Sequence, residues 1–324
     1  MKGFQGTTFT TKEACVHALR LPQLSSNPGG VMAGSANLLF MDGPAHTRLR
    51  AVVRDVIARL DPLPQPILDK IATIVDGLRD RTELDLVADF GRPVAAVIAA
   101  AMMDVEQELT YDLLDLLSAT AANLDVWLNG TTPAGSAMHR VIRFYLKAKP
   151  IPGGGLDMLR NAAKAGTITE DELLVTPVML THAAYENSMN FMATAALRII
   201  ASPELAAQFT AGTGLPQTVR NLVNDICPTR HVMRRATEPT EIGGTSLRAE
   251  EGVAISIGPP GGLAFGTGAH SCPGIQIALG EARFALARLA PLLASGWQAV
   301  DVAEKDHFAF HGLTRALIRL TREN

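Results

Sequence analysis

Residues 258–274 read GPPGGLAFGTGAHSCPG and run directly into IQIALGEARFALARLAPLL at 275–293, which has the spacing of an amphipathic helix. Taken singly the parts are ordinary: a lone cysteine is most often a small buried hydrophobe, and a glycine run is most often a loop. Nucleotide readings fit poorly, because no G-K-[ST] follows for a phosphate loop and no strand with G-x-G-x-x-G spacing precedes. What singles the stretch out is that Phe265, Gly266, Gly268, His270, Cys272 and Gly274 stand in one frame, F-G-x-G-x-H-x-C-x-G. Cys15 and Cys227 have no such setting and read as packed thiols.

Outward from that loop, the chain has 324 residues, enough for one large domain or two small ones. Lys and Arg number 29 against 32 Asp and Glu, a formal charge of -3 that argues against a general phosphate-binding surface and hence against nucleic acid as the main partner. Mean hydropathy is slightly positive at +0.16. Even so, one of the longest apolar stretches, Pro93 to Met103, is about half of the ~20 residues a membrane span needs. The start, MKGFQGTTFTTKEAC, lacks the apolar run of a signal peptide, and three cysteines cannot close into disulfides, so a reducing, cytoplasmic setting is expected. Helical spacing dominates: short at 10–19, then from Pro44 onward, and near 65–80, 92–103, 106–128 and 134–147. A loop fills 22–34, and residues 173–200 are apolar almost all round except His182, Glu186, Asn187 and Asn190, as expected of a helix through the centre of a large domain. Short β-like runs follow from Arg230, with a hairpin expected around EIGGTSLRAEEGV at 241–253. The fold class expected is mostly α with a minor β component.

The loop at 265–274 resembles the heme-binding loop of the cytochrome P-450 family, and that resemblance extends over nearly the whole chain. It implies heme b with the Cys272 thiolate as axial iron ligand, Cys272 being the metal residue. Gly266, Gly268 and Gly274 would let backbone approach a flat macrocycle, and the helix start behind Cys272 favours a thiolate. LLFMDGPAHTRLRAVV at 38–53 is similar to the family motif in which a histidine and an arginine four residues on contact a heme propionate, here His46 and Arg50. Arg234 in TRHVMRRAT and His270 complete the propionate set by the same resemblance, with Phe265 in the loop. The stretch Ala183, Ala184, Tyr185, Glu186, Asn187, Ser188 resembles the distal oxygen pocket, with Ala183 leaving room above the iron and Glu186 and Asn187 relaying protons. The plain alternative for Glu186 is a buried acid satisfied locally.

Four departures from the family pattern stand out. The N-terminal strands and first helix are read as missing, so that Met1 lies just before the first helix. Asn221 and Asn224 occupy the acid and arginine positions of the E-x-x-R motif, and the meander before the cysteine loop is cut to GPPGG at 258–262. Losing a whole buried ion network is physically easier than losing one member. Asn187 replaces a threonine, and an amide cannot relay a proton as a hydroxyl does. The chain is thus read as a truncated, diverged, bacterial-type member forming a single heme-thiolate domain over 1–324. The function expected is a monooxygenase acting on a small organic molecule in secondary metabolism, natural product biosynthesis. The partners expected are a substrate free or carrier-bound and a ferredoxin with its reductase. Two alternatives remain open: a heme-dependent non-oxidative or peroxide-using enzyme (isomerase, dehydratase or cyclase), and a non-catalytic binding module.

Overall fold

The computed structural model describes residues 6–27, 29, 36–128, 136–259, 261–294 and 296–321. Part of the loop expected at 22–34, the start of the helix expected at 134 and Pro260 of the shortened meander lie outside them.

A long helix, Glu170–Ala201, organises the core. Thr169 caps it in a reciprocal capping box with Glu172, and Arg48 of a second helix, Gly43–Ala58, bonds both oxygens of that Glu172. Its middle turns bury Thr181, Tyr185, Glu186, Met189 and Asn190, so little of its circumference meets solvent. Against it lies a helix Arg92–Met103, entered through a π-helical turn, Leu86–Gly91. Gly91 is required there, because a Cβ would come within 2.9 Å of the Met189 carbonyl. The window Leu86–Met103 has the length and hydropathy of a membrane span, but half of it is buried inside the fold, packed on the long helix as a core element.

Numbered along the chain, the helices are α1 Lys12–Arg20, α2 Gly43–Ala58, α3 Gln65–Asp76, α4 Arg92–Met103, α5 Tyr111–Leu128, α6 Ser136–Lys147, α7 Gly155–Lys164, α8 Glu170–Ala201, α9 Pro203–Ala211, α10 Leu215–Ile226 and α11 Ile275–Leu293. The strands are β1 Thr7–Phe9, β2 Leu24–Ser25, β3 Glu83–Asp85, β4 His231–Ala236, β5 Thr240–Ile242, β6 Thr245–Leu247, β7 Gly252–Ser256, β8 Trp297–Glu304 and β9 Leu313–Leu320. The mostly α expectation agrees with this. α5 begins at Tyr111, later than the 106 expected, because Asp104 turns left-handed (φ 53°) and Val105 bridges Pro150, leaving that backbone paired outside any helix.

One main core gathers α2, α3, α4, α8, α10 and α11. A smaller one lies under the sheet of order β1-β7-β4-β2 and holds Phe9, Cys15, Leu24, Cys227, Val253 and Ile255. Both Cys15 and Cys227 are fully buried, each thiol donating to a backbone carbonyl. β5 and β6 form the expected hairpin on Gly243 and Gly244, both at positive φ, whereas Val253 and Ala254 belong to β7 and pair with β4. A third sheet, β3-β9-β8, carries the 304–312 turn back toward α8.

Candidate functional site

Between α8 and the cysteine loop lies a cavity of about 720 Å³. β7 ends at Ser256 and the chain turns at once, with Gly261 N–H donating to Gly258 and Leu263 N–H to Ile257, so the cysteine loop follows the sheet directly. At the two positions matching the E-x-x-R motif, α10 offers amides. Asn224 accepts the Ala264 N–H at 3.3 Å and steadies the loop's entry, while Asn221 accepts from Gln217 at 2.6 Å.

Within the loop, Cys272 N–H donates to the Phe265 carbonyl at 2.8 Å, closing a turn that presents the thiol to the cavity. Cys272 is exposed only in that sense: it is open to the cavity while deep in the fold. Burial raises its pKa, and the Gly274 N–H and the Arg50 charge pull it back down. Gly266 (φ 64°) and Gly268 (φ 76°) are both left-handed. Their environments differ: a Cβ on Gly268 would meet the Leu19 carbonyl of α1 at 2.7 Å, whereas one on Gly266 would meet nothing nearer than 3.9 Å. Gly268 thus answers to α1 and not to a cavity ligand.

The basic groups gather on one wall. His46 is buried, its Nε2 has no partner among the described residues, and its ring lies 4.2 Å from that of His270, tilted by 35°. Burial first, then His270 and Arg50, lower its pKa to about 4, so it is a neutral donor at pH 7. Among the described residues Arg50 bonds the Ser271 carbonyl and hydroxyl. Arg234 on β4 is buried, bonds the Met233 carbonyl at 2.7 Å, and has its pKa lowered by burial to about 10. Among the described residues neither arginine has a carboxylate in ion-pair contact. His270 differs in that Asp42 bonds it at 3.2 Å. Burial would raise that carboxyl, but bonds from His270, Ser25 and Ser26 outweigh it and hold it well below the usual range.

On the α8 side, Ala183 and Asn187 line the cavity. Asn187 is tied by its own Nδ2 to the Ala183 carbonyl and by Thr229, which donates to Oδ1 at 2.8 Å. Glu186 does not line it. The carboxylate is fully buried behind the helix, paired with Lys305, with Ser118 donating at 2.8 Å and Asn190 at 3.1 Å. Burial would raise its pKa, but Lys305, His182 and Ser118 outweigh that and hold it ionised. Every other sequence candidate (His46, Arg50, Arg234, Phe265, Gly266, His270, Cys272 and Gly274) faces this one cavity.

Three further titratable side chains line the cavity, Glu281, His182 and His231, none of them given a role by the sequence. Glu281 on α11 is buried, accepts from the Ser188 hydroxyl at 2.6 Å, and is pushed up to about 8 by burial. The signal was available: Ile277, Glu281 and Ala285 repeat every fourth residue, so the acid sits on the apolar face. His182 and His231 also line the wall, in contact with Phe310 and Phe308.

No family model matches the chain. Curated proteins do. Pentalenic acid synthase of Streptomyces avermitilis is 28% identical over 305 residues, 83% of this chain and 73% of that protein. 6-Deoxyerythronolide B hydroxylase of Saccharopolyspora erythraea is 24% identical over 88% of this chain and 78% of that protein. Among solved structures, P450BioI in complex with a hexadec-9Z-enoic acid-ligated acyl carrier protein superposes with a TM-score of 0.81 at 19% identity, covering 99% of this chain and 94% of that one. Mycobacterium smegmatis CYP164A2 with econazole bound gives 0.80 at 22% identity, covering 97% and 90%. These relatives and neighbours are cytochrome P450s, and they imply heme b with a cysteine thiolate ligand. The residues present fit that group: a thiol at the cavity wall, and beside it an unpartnered His46 Nε2 and two cavity-facing arginines without carboxylates, which is the donor set two propionates need.

Proposed function

From the likeness of its fold, its curated relatives and its cysteine loop to cytochrome P450s, we propose that this chain is a cytoplasmic heme-thiolate monooxygenase of bacterial secondary metabolism, one domain over 1–324, acting on a small organic molecule. The observation that carries the reading is the convergence of Cys272 with unpaired basic groups on one cavity wall. When bound, the heme supplies thiolate-ligated iron for oxygen chemistry.

Cys272 would ligate the iron, and His46, Arg50, Arg234 and His270 would hold the propionates, with Asp42 fixing the His270 ring. Phe265, Gly266 and Gly274 complete the wall around the thiol. Ala183 leaves space on the α8 side, and Asn187, braced by Thr229, holds its amide there. The proton store that best fits the geometry is Glu281: kept protonated at neutral pH by burial, it accepts from the Ser188 hydroxyl on the cavity wall, and once that hydroxyl turns its own proton inward its freed lone pair can take the proton of Glu281. Glu186, whose carboxylate is ionised and spent on Lys305, serves as a counter-ion. Apolar groups such as Met179, Phe191 and Val232 suit an apolar substrate, delivered free or on a carrier, the latter on the strength of the neighbour solved with an acyl carrier protein; electrons would come from a ferredoxin.

An absorption spectrum of the reduced protein under carbon monoxide tests this. The red-shifted thiolate Soret band is expected in the wild type and lost in Cys272→Ala; its absence from the wild type overturns the reading. One observation favours a second reading, a peroxide-using or non-oxidative heme enzyme: the acid of the distal helix is turned away and asparagine stands in place of threonine. Conversion of substrate that ignores NADPH and surrogate ferredoxin partners would select it.

A further inference from the structure

The 305–312 segment, KDHFAFHG, joins β8 to β9 and brings Ala309 and Phe310 to the cavity wall. It is a poor candidate to hold itself in place. Phe308, Ala309 and Phe310 form a satellite cluster of their own, apart from the main core, so apolar burial contributes little to fixing it. On its sheet side the backbone is tied to the segment before β4: Arg230 N–H donates to Ala309 at 2.8 Å, His311 N–H to Pro228 at 2.7 Å, and Thr229 bridges Phe310. His231 stacks flat on Phe308 at 4.6 Å, and its Nδ1 lies 3.1 Å from the Phe308 carbonyl.

On its other side the turn must be held against α8, and the chain does this with charge. Lys305, at the root of the turn, pairs with Glu186, and both side chains are almost wholly buried, 11% and 1% exposed. Asn190, one helical turn on, donates to the same carboxylate oxygen and stands against Gly312, the other root residue, where a Cβ would fall 2.3 Å from its Oδ1. His182, one turn earlier on α8, meets Phe310 edge to face at 6.1 Å. The Phe308–Phe310 turn is thus inserted between His182 and His231, with the ion pair at its base. Separating such a pair would leave buried charge uncompensated, so a placement of the turn that keeps Lys305 and Glu186 in contact is preferred over one that parts them.

We propose that Lys305 is a positioning residue of the cavity: through its buried pair with Glu186 it sets where the Phe308–Phe310 turn stands against α8, and so how bulky a ligand the wall admits. This rests on the heme-thiolate reading for the ligands concerned, but not for the contact itself.

The experiment uses the heme-loaded full chain as wild type, Lys305→Met, Lys305→Arg and the paired Glu186→Gln/Lys305→Met. Hydrogen exchange is followed at 305–312 and, as an internal reference, across Ile275–Leu293; imidazole and econazole serve as small and bulky iron-binding probes. In Lys305→Met, exchange at 305–312 is expected to quicken about tenfold with the reference helix unchanged. The ratio of econazole to imidazole affinity is expected to shift about tenfold, and Lys305→Arg is expected to restore both. The paired variant, with no charge left unpartnered, is expected to keep its heme and still show the loosened turn. Unchanged exchange and an unchanged ratio overturn the proposal, as does acceleration spread equally through the reference helix, which would make Lys305 a merely structural residue. Should the single variant lose heme, the paired variant is judged on the same two readouts. A wild type lacking the thiolate band would sink the heme reading, while exchange in the apoproteins would still decide the role of Lys305.

Discussion

Glu281 shows how a single residue can separate a proton store from a structural acid. Its carboxyl is buried, bonded among the described residues by Ser188 alone, and pushed from the ordinary 4.5 up to about 8. In the unfolded chain the group ionises near the ordinary value, so between about 4.5 and about 8 the folded state binds the extra proton and stability falls as pH rises. Glu281→Gln keeps the shape and can accept from Ser188 but cannot titrate. Its melting temperature relative to wild type is expected to climb steadily from pH 5 to pH 8 and to level off above, as thermal unfolding at a series of pH values would show. A difference flat with pH would mean that Glu281 is already ionised and is not the proton store. Glu186 is the contrast: held ionised by Lys305, it gives no such slope in that range.

At the scale of elements, the cysteine loop is held by its neighbours more than by its own sequence. Its motif was legible because the frame of Phe265, Gly266, His270, Cys272 and Gly274 is local, and α2 was legible from Pro44 and α8 from its apolar run because those signals are local too, although the Thr169–Glu172 box that starts α8 at Glu170 was not read. What could not be read were side-chain directions set by distant partners. Lys305 lies 119 residues from Glu186, and nothing in the spacing around Glu186 announces that it faces away from the cavity. Gly268 was misassigned for the same reason, since the carbonyl that forbids its Cβ belongs to α1. The two glycines therefore make a test. Gly266→Ala meets no contact and should cost only the left-handed backbone, about 1 kcal/mol, whereas Gly268→Ala adds a clash with Leu19 and should cost clearly more and loosen the packing of the loop on α1. Denaturant unfolding of both variants checks the order, and equal costs would mean that α1 yields freely.

For the whole molecule, the question is what a wall of buried basic donors does to the fold built around it. α8 and α11 bury their apolar faces in the common core, but among the described residues Arg234 is buried with a backbone carbonyl as its bonded partner and the charge of Asp42 only partly offsetting its burial, and His46 carries an unpartnered Nε2. A buried charge that is only partly compensated costs the apoprotein stability, which a ligand bearing carboxylates returns on binding. Heme binding only the folded chain adds about 4 kcal/mol when free heme is about 1,000 times its Kd, enough to raise Tm by several degrees in a chain of this size. Arg234→Met should move the two states in opposite directions: the apoprotein melts higher because the charge is gone, and the holoprotein loses a charged hydrogen bond of about 1.5–3 kcal/mol, so the gap between apo and holo Tm narrows from both ends. Paired apo and holo melts of wild type and variant measure this, and a gap unchanged by Arg234→Met would mean that the arginine is satisfied without a heme carboxylate.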